Sequence, residues 1–306
     1  MRTIERPAAS AGGFFGNAAR GRETVAVTQL TPCSGQVRHT SVHLGDVSIV
    51  SMDHPCGTQF RKKRQTGRLL VGFVRTQTAQ ITVCGDVWHR GEVAFVRDAP
   101  VDVCSLGDAA YRWIDVPAEP LAEMLTGCDV RGGACALRGV DAEALGDLAA
   151  VAERATRPGS NASEFDVAAV VSGALQASSR TRYRCAEATA ARVRFDLVLC
   201  AEAYMWQHIG ETLTLESIAG AVGCSVRLLT HSYHRAYGIG PLTHFRLQRL
   251  NAVRRRLLES PATSVTKAAI DHGFWHSGHF STQYRALFGR TAAQTHWEAC
   301  ARYARA

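Results

Sequence analysis

The chain has 306 residues, 46% hydrophobic and 20% charged, with a formal net charge of +8. Length alone predicts two cores, and apolar runs such as 167–175 fall far short of the roughly 18 residues a membrane span needs. The N-terminal stretch lacks the apolar centre of a secretory leader, and the 10 cysteines include no C-x-x-C pair. A soluble cytoplasmic protein with reduced cysteines, no cofactor and no membrane partner is therefore expected.

From about residue 24 to 116 the chain reads as short strands. The runs 25–30, 37–44, 47–52, 68–74, 79–85, 92–96 and 111–116 are apolar or alternating, and Gly, Pro or Asp punctuate them. This pattern predicts a small barrel or sandwich. From Pro117 the period becomes helical, with helices expected over 118–126, 141–155, 163–177 and about 186–209. The apolar faces of 141–177 (Leu145, Leu148, Val151, Ala152, Val167, Val170, Val171, Leu175) are assigned to a dimer interface, with a cover over the barrel as the alternative.

Charge is uneven. Residues 204–306 hold 12 Lys and Arg against 5 Asp and Glu, whereas the rest of the chain is nearly neutral with 23 against 22. A basic third behind a neutral front predicts a module that faces a polyanion.

That third contains an internal repeat. Thr214 is placed to cap a short helix carrying Ile218-Ala219, Gly223 permits a tight turn, and Ser225 caps a second helix that ends at Gly238. Its apolar spacing (Leu228, Leu229, Tyr233, Tyr237) predicts one buried face. Arg227, Thr230, His231, His234 and Arg235 are left outward. About fifty residues later Ser264, Ala268-Ala269, Gly273, Phe280, Tyr284 and Phe288-Gly289 repeat the arrangement. Helix, glycine turn and helix with a polar face is helix-turn-helix grammar. A connecting helix from Pro241 to about Leu258, with Leu242, Phe245, Leu250, Val253 and Leu257 as its buried stripe, spans roughly 27 Å. Two recognition helices so spaced fit successive major grooves, about 34 Å apart.

Competing chemistry is poorly supported. His39-x3-His43, His231-x2-His234 and His272-x3-His276-x2-His279 have ligand-like spacing, yet the first has no further ligand nearby and the others lie within the repeat. No G-x-S-x-G, Walker A or G-x-G-x-x-G run occurs, so no enzyme is expected. The basic run 61–64 is read as a solvated loop, and 88–92 as a turn stacked on the barrel rim.

The stretch 223–258 followed by 264–291 resembles the AraC/XylS family of transcription regulators. The likeness rests on Ser225, Leu229, Gly238, Pro241, Arg249-Leu250, Leu257, Gly273-Phe274, Phe280 and Phe288-Gly289. Ala292 stands where such chains usually carry proline. The resemblance implies an α+β protein with a cupin-like effector-binding barrel (20–135), a helical dimerisation and linker region (136–203) and a double helix-turn-helix domain (204–304, motifs at about 214–237 and 264–288). It implies an activator that binds double-stranded promoter DNA as a homodimer, answers to a small organic effector and meets RNA polymerase. The base-facing positions it implies are Arg227, Thr230 and His231, with His234 and Arg235 beside them. The second helix presents small residues, Ser277, Gly278 and Thr282, so it is read as gripping phosphates through Arg285 and His276. The alternative is a small-molecule binding protein whose basic domain no longer reads specific DNA.

Overall fold

The computed structural model describes residues 2–6, 25–33, 35, 37–63, 66–88, 90–97, 100–121, 134–137, 142–157, 159–179 and 185–305. Its N-terminal strands form two antiparallel sheets rather than one closed barrel. The larger sheet contains β1 (Arg2–Arg6), β3 (Arg38–Leu44), β4 (Val47–His54), β11 (Ala109–Pro117), β6 (Arg68–Gln77), β9 (Val93–Arg97) and β12 (Ala134–Leu137), in that spatial order. The smaller runs β2 (Val25–Gln29), β5 (Thr58–Lys62), β10 (Val101–Ser105), β7 (Ile81–Val83) and β8 (Asp86–Trp88).

Strand alternation explains the layering, because successive side chains point to opposite faces. Ile49, Leu69, Val71, Phe95 and Ile114 face one way, onto α1 (Ala142–Thr156) and α2 (Glu164–Ser179). Met52, Leu70, Val96, Tyr111 and Trp113 face the other way and meet Val27, Phe60, Ile81 and Val103 of the smaller sheet. Trp113 lies flat over Gly72, where a Cβ would meet its ring carbon at 2.6 Å. The helix faces expected to dimerise, Leu148, Val151, Ala152, Val167, Val171 and Leu175, are consumed by this sheet. A sheet with two apolar faces needs a cover on each, and that demand takes precedence over an interface.

The C-terminal part is helical: α3 (Cys185–Gln207), α4 (Leu215–Ala221), α5 (Val226–Tyr237), α6 (Pro241–Glu259), α7 (Val265–Asp271), α8 (Ser277–Phe288) and α9 (Ala292–Tyr303). Phe195, Val198, Ala201 and Met205 of α3 share a core with Ile218, Leu229, Tyr233 and Phe245. A second core gathers Leu250, Val253, Leu257, Ala268, Phe280 and Tyr284. Helix α6 serves both, through Phe245 at one end and Leu257 at the other.

Several expectations change. Of the helix expected over 118–126, Glu119–Leu121 is a single 3-10 turn and 122–126 lie outside the described residues. Arg61 and Lys62 stand in β5 rather than a solvated loop: Lys62 is buried against Asp115 at 2.6 Å, and Arg68 reaches the same carboxylate. Trp88 is fully buried beside Trp113 rather than stacked on a rim, and its indole N–H donates to Glu92 O at 3.1 Å. His89 lies outside the described residues.

Candidate nucleic-acid interface

Both helix-turn-helix units are built by the same local devices. Thr214 and Ser217 form a reciprocal capping box at the start of α4, satisfying N–H groups that a helix cannot pair internally. Gly223 takes φ +70, and Cys224 N–H then donates to Ala219 O at 2.9 Å, folding the chain back for α5. Ser225 caps α5 by accepting from Leu228 N–H at 3.2 Å, and Gly238 closes it in the left-handed region. Fifty residues on, Ser264 caps α7, Gly273 takes φ +76, and Phe274 N–H donates to Ala269 O at 3.0 Å. Helix α8 ends on the left-handed Gly289 as α5 does on Gly238. The offset is 50 residues between α4 and α7 and 51 between α5 and α8, so the second turn is one residue longer.

The outward faces are polar. On α5, Leu229, Ser232, Tyr233, Ala236 and Tyr237 are buried, while Arg227, His231 and His234 are exposed and Thr230 is half-covered. Leu228 is also outward, 41% exposed, contrary to the buried face expected of it. At 3.6 residues per turn Leu228 lies about 100° or more around the helix from Leu229, Tyr233 and Tyr237, so it cannot share their face. On α8, His276, Ser277, Gly278, Thr282 and Arg285 are all exposed. Residue His276 occupies the N-cap without a side-chain hydrogen bond, so the first N–H groups of α8 keep no side-chain acceptor there. Thr282 returns its hydroxyl to Gly278 O at 3.0 Å.

Not every basic residue of this third serves that face. Arg249 donates to the carbonyls of His272 and Gly273 and lies 4.5 Å above the Phe274 ring, tying α6 to the second turn. Arg254 is buried against the Phe288 ring at 4.5 Å, and burial lowers its pKa to about 10. Arg290 pairs with Glu298, and Arg235 with Asp86 of β8 at 3.1 Å. Leu242, expected in the stripe of α6, is 40% exposed, whereas Phe245, Leu250, Val253 and Leu257 are buried. Ala292 begins α9 at the position where proline loses nothing, and a Thr291–Gln294 capping box starts the helix instead.

The two halves meet over the outer face of the smaller sheet. Arg61 donates to Asp102 Oδ2, to Glu202 of α3 at 2.8 Å and to the Tyr237 hydroxyl at 3.0 Å. Thr82 donates to the carbonyl of Ala236, one of the acceptors that the end of α5 leaves open. Asn251 of α6 pairs with edge strand β2 as a neighbouring strand would: its amide accepts from Gln29 N–H at 2.9 Å and donates to Gln29 O at 2.8 Å. The Gln29 side chain also donates to Leu287 O at the end of α8. His244 Nε2 meets Gln59 Oε1 at 3.0 Å, and burial drives this imidazole down to about 4. At neutral pH it is uncharged, so its 3.6 Å approach to Glu202 is not an ion pair. Burial pushes the Glu202 carboxyl up, but the Arg61 charge outweighs it and holds the group below its ordinary value.

A second set of polar groups lies between the sheets, and sequence reasoning missed it. His54 is 3% exposed, stacked on Tyr111 at 5.7 Å, and neither ring nitrogen has a hydrogen-bond partner. Trp113 Nε1 is likewise unpartnered, and the Tyr111 hydroxyl is buried beside Thr58. Buried polar groups are normally satisfied. No group of three or more metal-ligating side chains is found among the described residues. None of the described helices is long and apolar enough to cross a membrane.

A duplicated, capped helix-turn-helix with outward polar faces defines a nucleic-acid-binding module. Comparison with known proteins agrees. Residues 218–296 match the family model described as a helix-turn-helix domain. The chain is 31% identical over 94 residues to the XylDLEGF operon transcriptional activator 3 of Pseudomonas putida, covering 30% of this chain and 28% of that one. It is 36% identical over 88 residues to the transcriptional activator RhaS of Escherichia fergusonii, covering 28% and 31%. A solved AraC-type DNA-binding domain protein from Chromobacterium violaceum is 28% identical, with 34% of this chain and 92% of that one covered and a TM-score of 0.32. The likeness thus spans under a third of the two curated relatives. Residues 218–296 therefore form a helix-turn-helix domain similar to the corresponding region of these transcriptional activators.

Proposed function

We propose that the whole chain is a sequence-specific, DNA-binding transcription regulator, an activator, controlled by a small organic effector held in the N-terminal sheets. One observation carries the reading: α5 and α8 repeat the same fold and each bares a polar face at its N-terminal end. Arg227, Thr230, His231 and His234 read bases. Arg285 and His276, with Ser277, Gly278 and Thr282 around them, hold phosphates, because small side chains let the helix approach the backbone but offer few base contacts. Arg235 is spent on Asp86 and contributes least.

The effector site is assigned to the inter-sheet region around His54, Tyr111 and Trp113, whose buried polar atoms suit a guest with an aromatic or apolar body and hydrogen-bonding groups. Pairing of two chains places two such domains on one promoter. Phe165 on α2, 77% exposed, is the apolar anchor proposed for that contact. Contact with RNA polymerase and a cytoplasmic location follow from the regulatory role; no catalytic role, metal or cofactor is assigned.

The test is retardation of fragments from the protein's own genome against competitor DNA. A fragment retained at a hundredfold competitor excess supports the reading. Equal affinity for all fragments supports instead a binding protein with a non-specific basic domain.

A further inference from the structure

Cys33 and Cys56 stand where the chain leaves β2 and enters β5. The paired register ends at Gln29 opposite Thr58. Beyond it Leu30 N–H donates to Gly57 O at 2.8 Å, and Gly57 N–H to Thr31 Oγ1 at 2.6 Å. Gly35 sits so near Pro55 that a Cβ would meet its ring at 2.8 Å. The stretch around Thr31 to Gly35 is thereby held against 55–57, and the Cys33 and Cys56 thiols share a hydrogen bond. Cys56 is 2% exposed, Cys33 is half-buried, and both are free thiols. Burial and the neighbouring Cys33 push the Cys56 thiol up, and the Arg254 guanidinium offsets only part of that, so Cys33, the less buried of the two, is the sulfur placed to meet an oxidant.

This crossing abuts the inter-domain contact. The Gln29 side chain donates both to Thr31 O at 2.9 Å and to Leu287 O at 2.9 Å. One amide therefore links the cysteine loop to the end of the second recognition helix, and the Gln29 backbone is held by Asn251 of α6.

We propose that Cys33 and Cys56 form a peroxide-oxidisable pair that loosens the seating of α6 and α8 on the sheet. The more accessible Cys33 thiolate attacks hydrogen peroxide; the O–O bond breaks, leaving a sulfenic acid and hydroxide, which takes up the thiol proton as water. The Cys56 thiol then attacks that sulfur, the S–S bond forms, the S–O bond breaks and a second water leaves. Two thiols lose two electrons and one peroxide is reduced. A disulfide brings its sulfurs to about 2.05 Å, well inside hydrogen-bond separation, so the backbone at Thr31 is drawn away from Gln29. The α5 and α8 faces are set relative to one another through α6, so loosening its seat costs pre-organisation for DNA.

The experiment treats the reduced full-length protein with a few equivalents of hydrogen peroxide, then maps peptides without reductant and follows amide exchange. A linked 33–56 peptide that forms ahead of any other bridge, reverses with dithiothreitol and accompanies faster exchange at 247–257 and 284–288 is the expected result. Cys33→Ser and Cys56→Ser each abolish the exchange response, whereas Cys200→Ser, at an exposed thiol, keeps it. Sulfinic acid at Cys33 with Cys56 still reduced, or a linked peptide with unchanged exchange, overturns the proposal. These readouts need no DNA, so they stand apart from the regulator reading. A further arm rests on that reading: affinity for retained DNA should fall by at least about fivefold on oxidation, and unchanged affinity overturns the coupling to DNA.

Discussion

Arg227 and Arg285 are both exposed arginines on recognition helices, yet their places differ. Arg227 follows the capped first residue of α5, whereas Arg285 lies in the last turn of α8; in the proposed complex the first reaches a guanine edge and the second the phosphate backbone. Arg227→Ala should cost about 1–3 kcal/mol on the retained operator and little on scrambled DNA. Arg285→Ala should weaken both alike and reduce the salt slope by about one. Titration of both variants on both DNAs at several salt concentrations decides this, and an equal loss on the two DNAs for Arg227→Ala removes it from base reading. His54 makes a different forecast. Burial lowers it from 6.5 to about 4, so between those values the folded chain binds fewer protons than the unfolded one. Stability is then fully present above pH 6.5 and declines as pH falls toward 4, by up to about 1.4 kcal/mol per pH unit for this group. His54→Gln should flatten the slope of urea-unfolding free energy between pH 7 and 5. An unchanged slope means that His54 is solvated in the folded state.

At the scale of elements, glycine geometry carries the turns. Gly273 sits at φ +76, and a Cβ there would strike the Ile209 carbonyl and the Arg249 guanidinium. Gly273→Ala combines left-handed strain of about 1–2 kcal/mol with that collision, so its melting temperature should drop by several degrees. Gly223→Ala meets nothing within 4 Å and should cost only the strain. Equal melting temperatures for the two variants would show that the collision is relieved at no cost. The helical third was legible in the sequence because its signals are local: caps at Thr214, Ser225 and Ser264, stops at Gly238 and Gly289, and one apolar stripe per helix. Strand β5 was not legible. Its Gln59 and Arg61 face a polar docking surface and Lys62 a buried carboxylate, so only Phe60 signals a core. Strand β10 hides for the same reason, since Asp102 turns toward Arg61. Of the interface residues, the exposed set on α5 and α8 followed from helical spacing, whereas the loss of Arg235 to Asp86 depends on a strand about 150 residues away and leaves no mark nearby.

At the scale of the molecule, four layers stack: the α1–α2 pair, the larger sheet, the smaller sheet and the helical third. Helix α3 runs through residue 204, the boundary expected for the DNA-binding unit, and gives it Phe195, Val198 and Ala201. A fragment spanning 185–306 should fold and bind DNA with steep salt dependence, while 204–306, stripped of those side chains, should melt lower by many degrees. Circular dichroism on both fragments checks this, and equal melting temperatures would place α3 outside the unit. The last interface in the stack differs from the others. Where the inner layers meet through apolar side chains, the smaller sheet greets the helices with Gln29, Gln59, Arg61, Thr82 and Asp102. Water can take over the neutral partners at little cost, whereas the Arg61–Asp102–Glu202 cluster contributes more. The seam is nevertheless not wholly polar, because Leu30 and Cys104 of the sheet side pack with Phe195 and Tyr237 of the helices, so parting along it would bare a mixed surface, wettable over the strands and apolar at that patch.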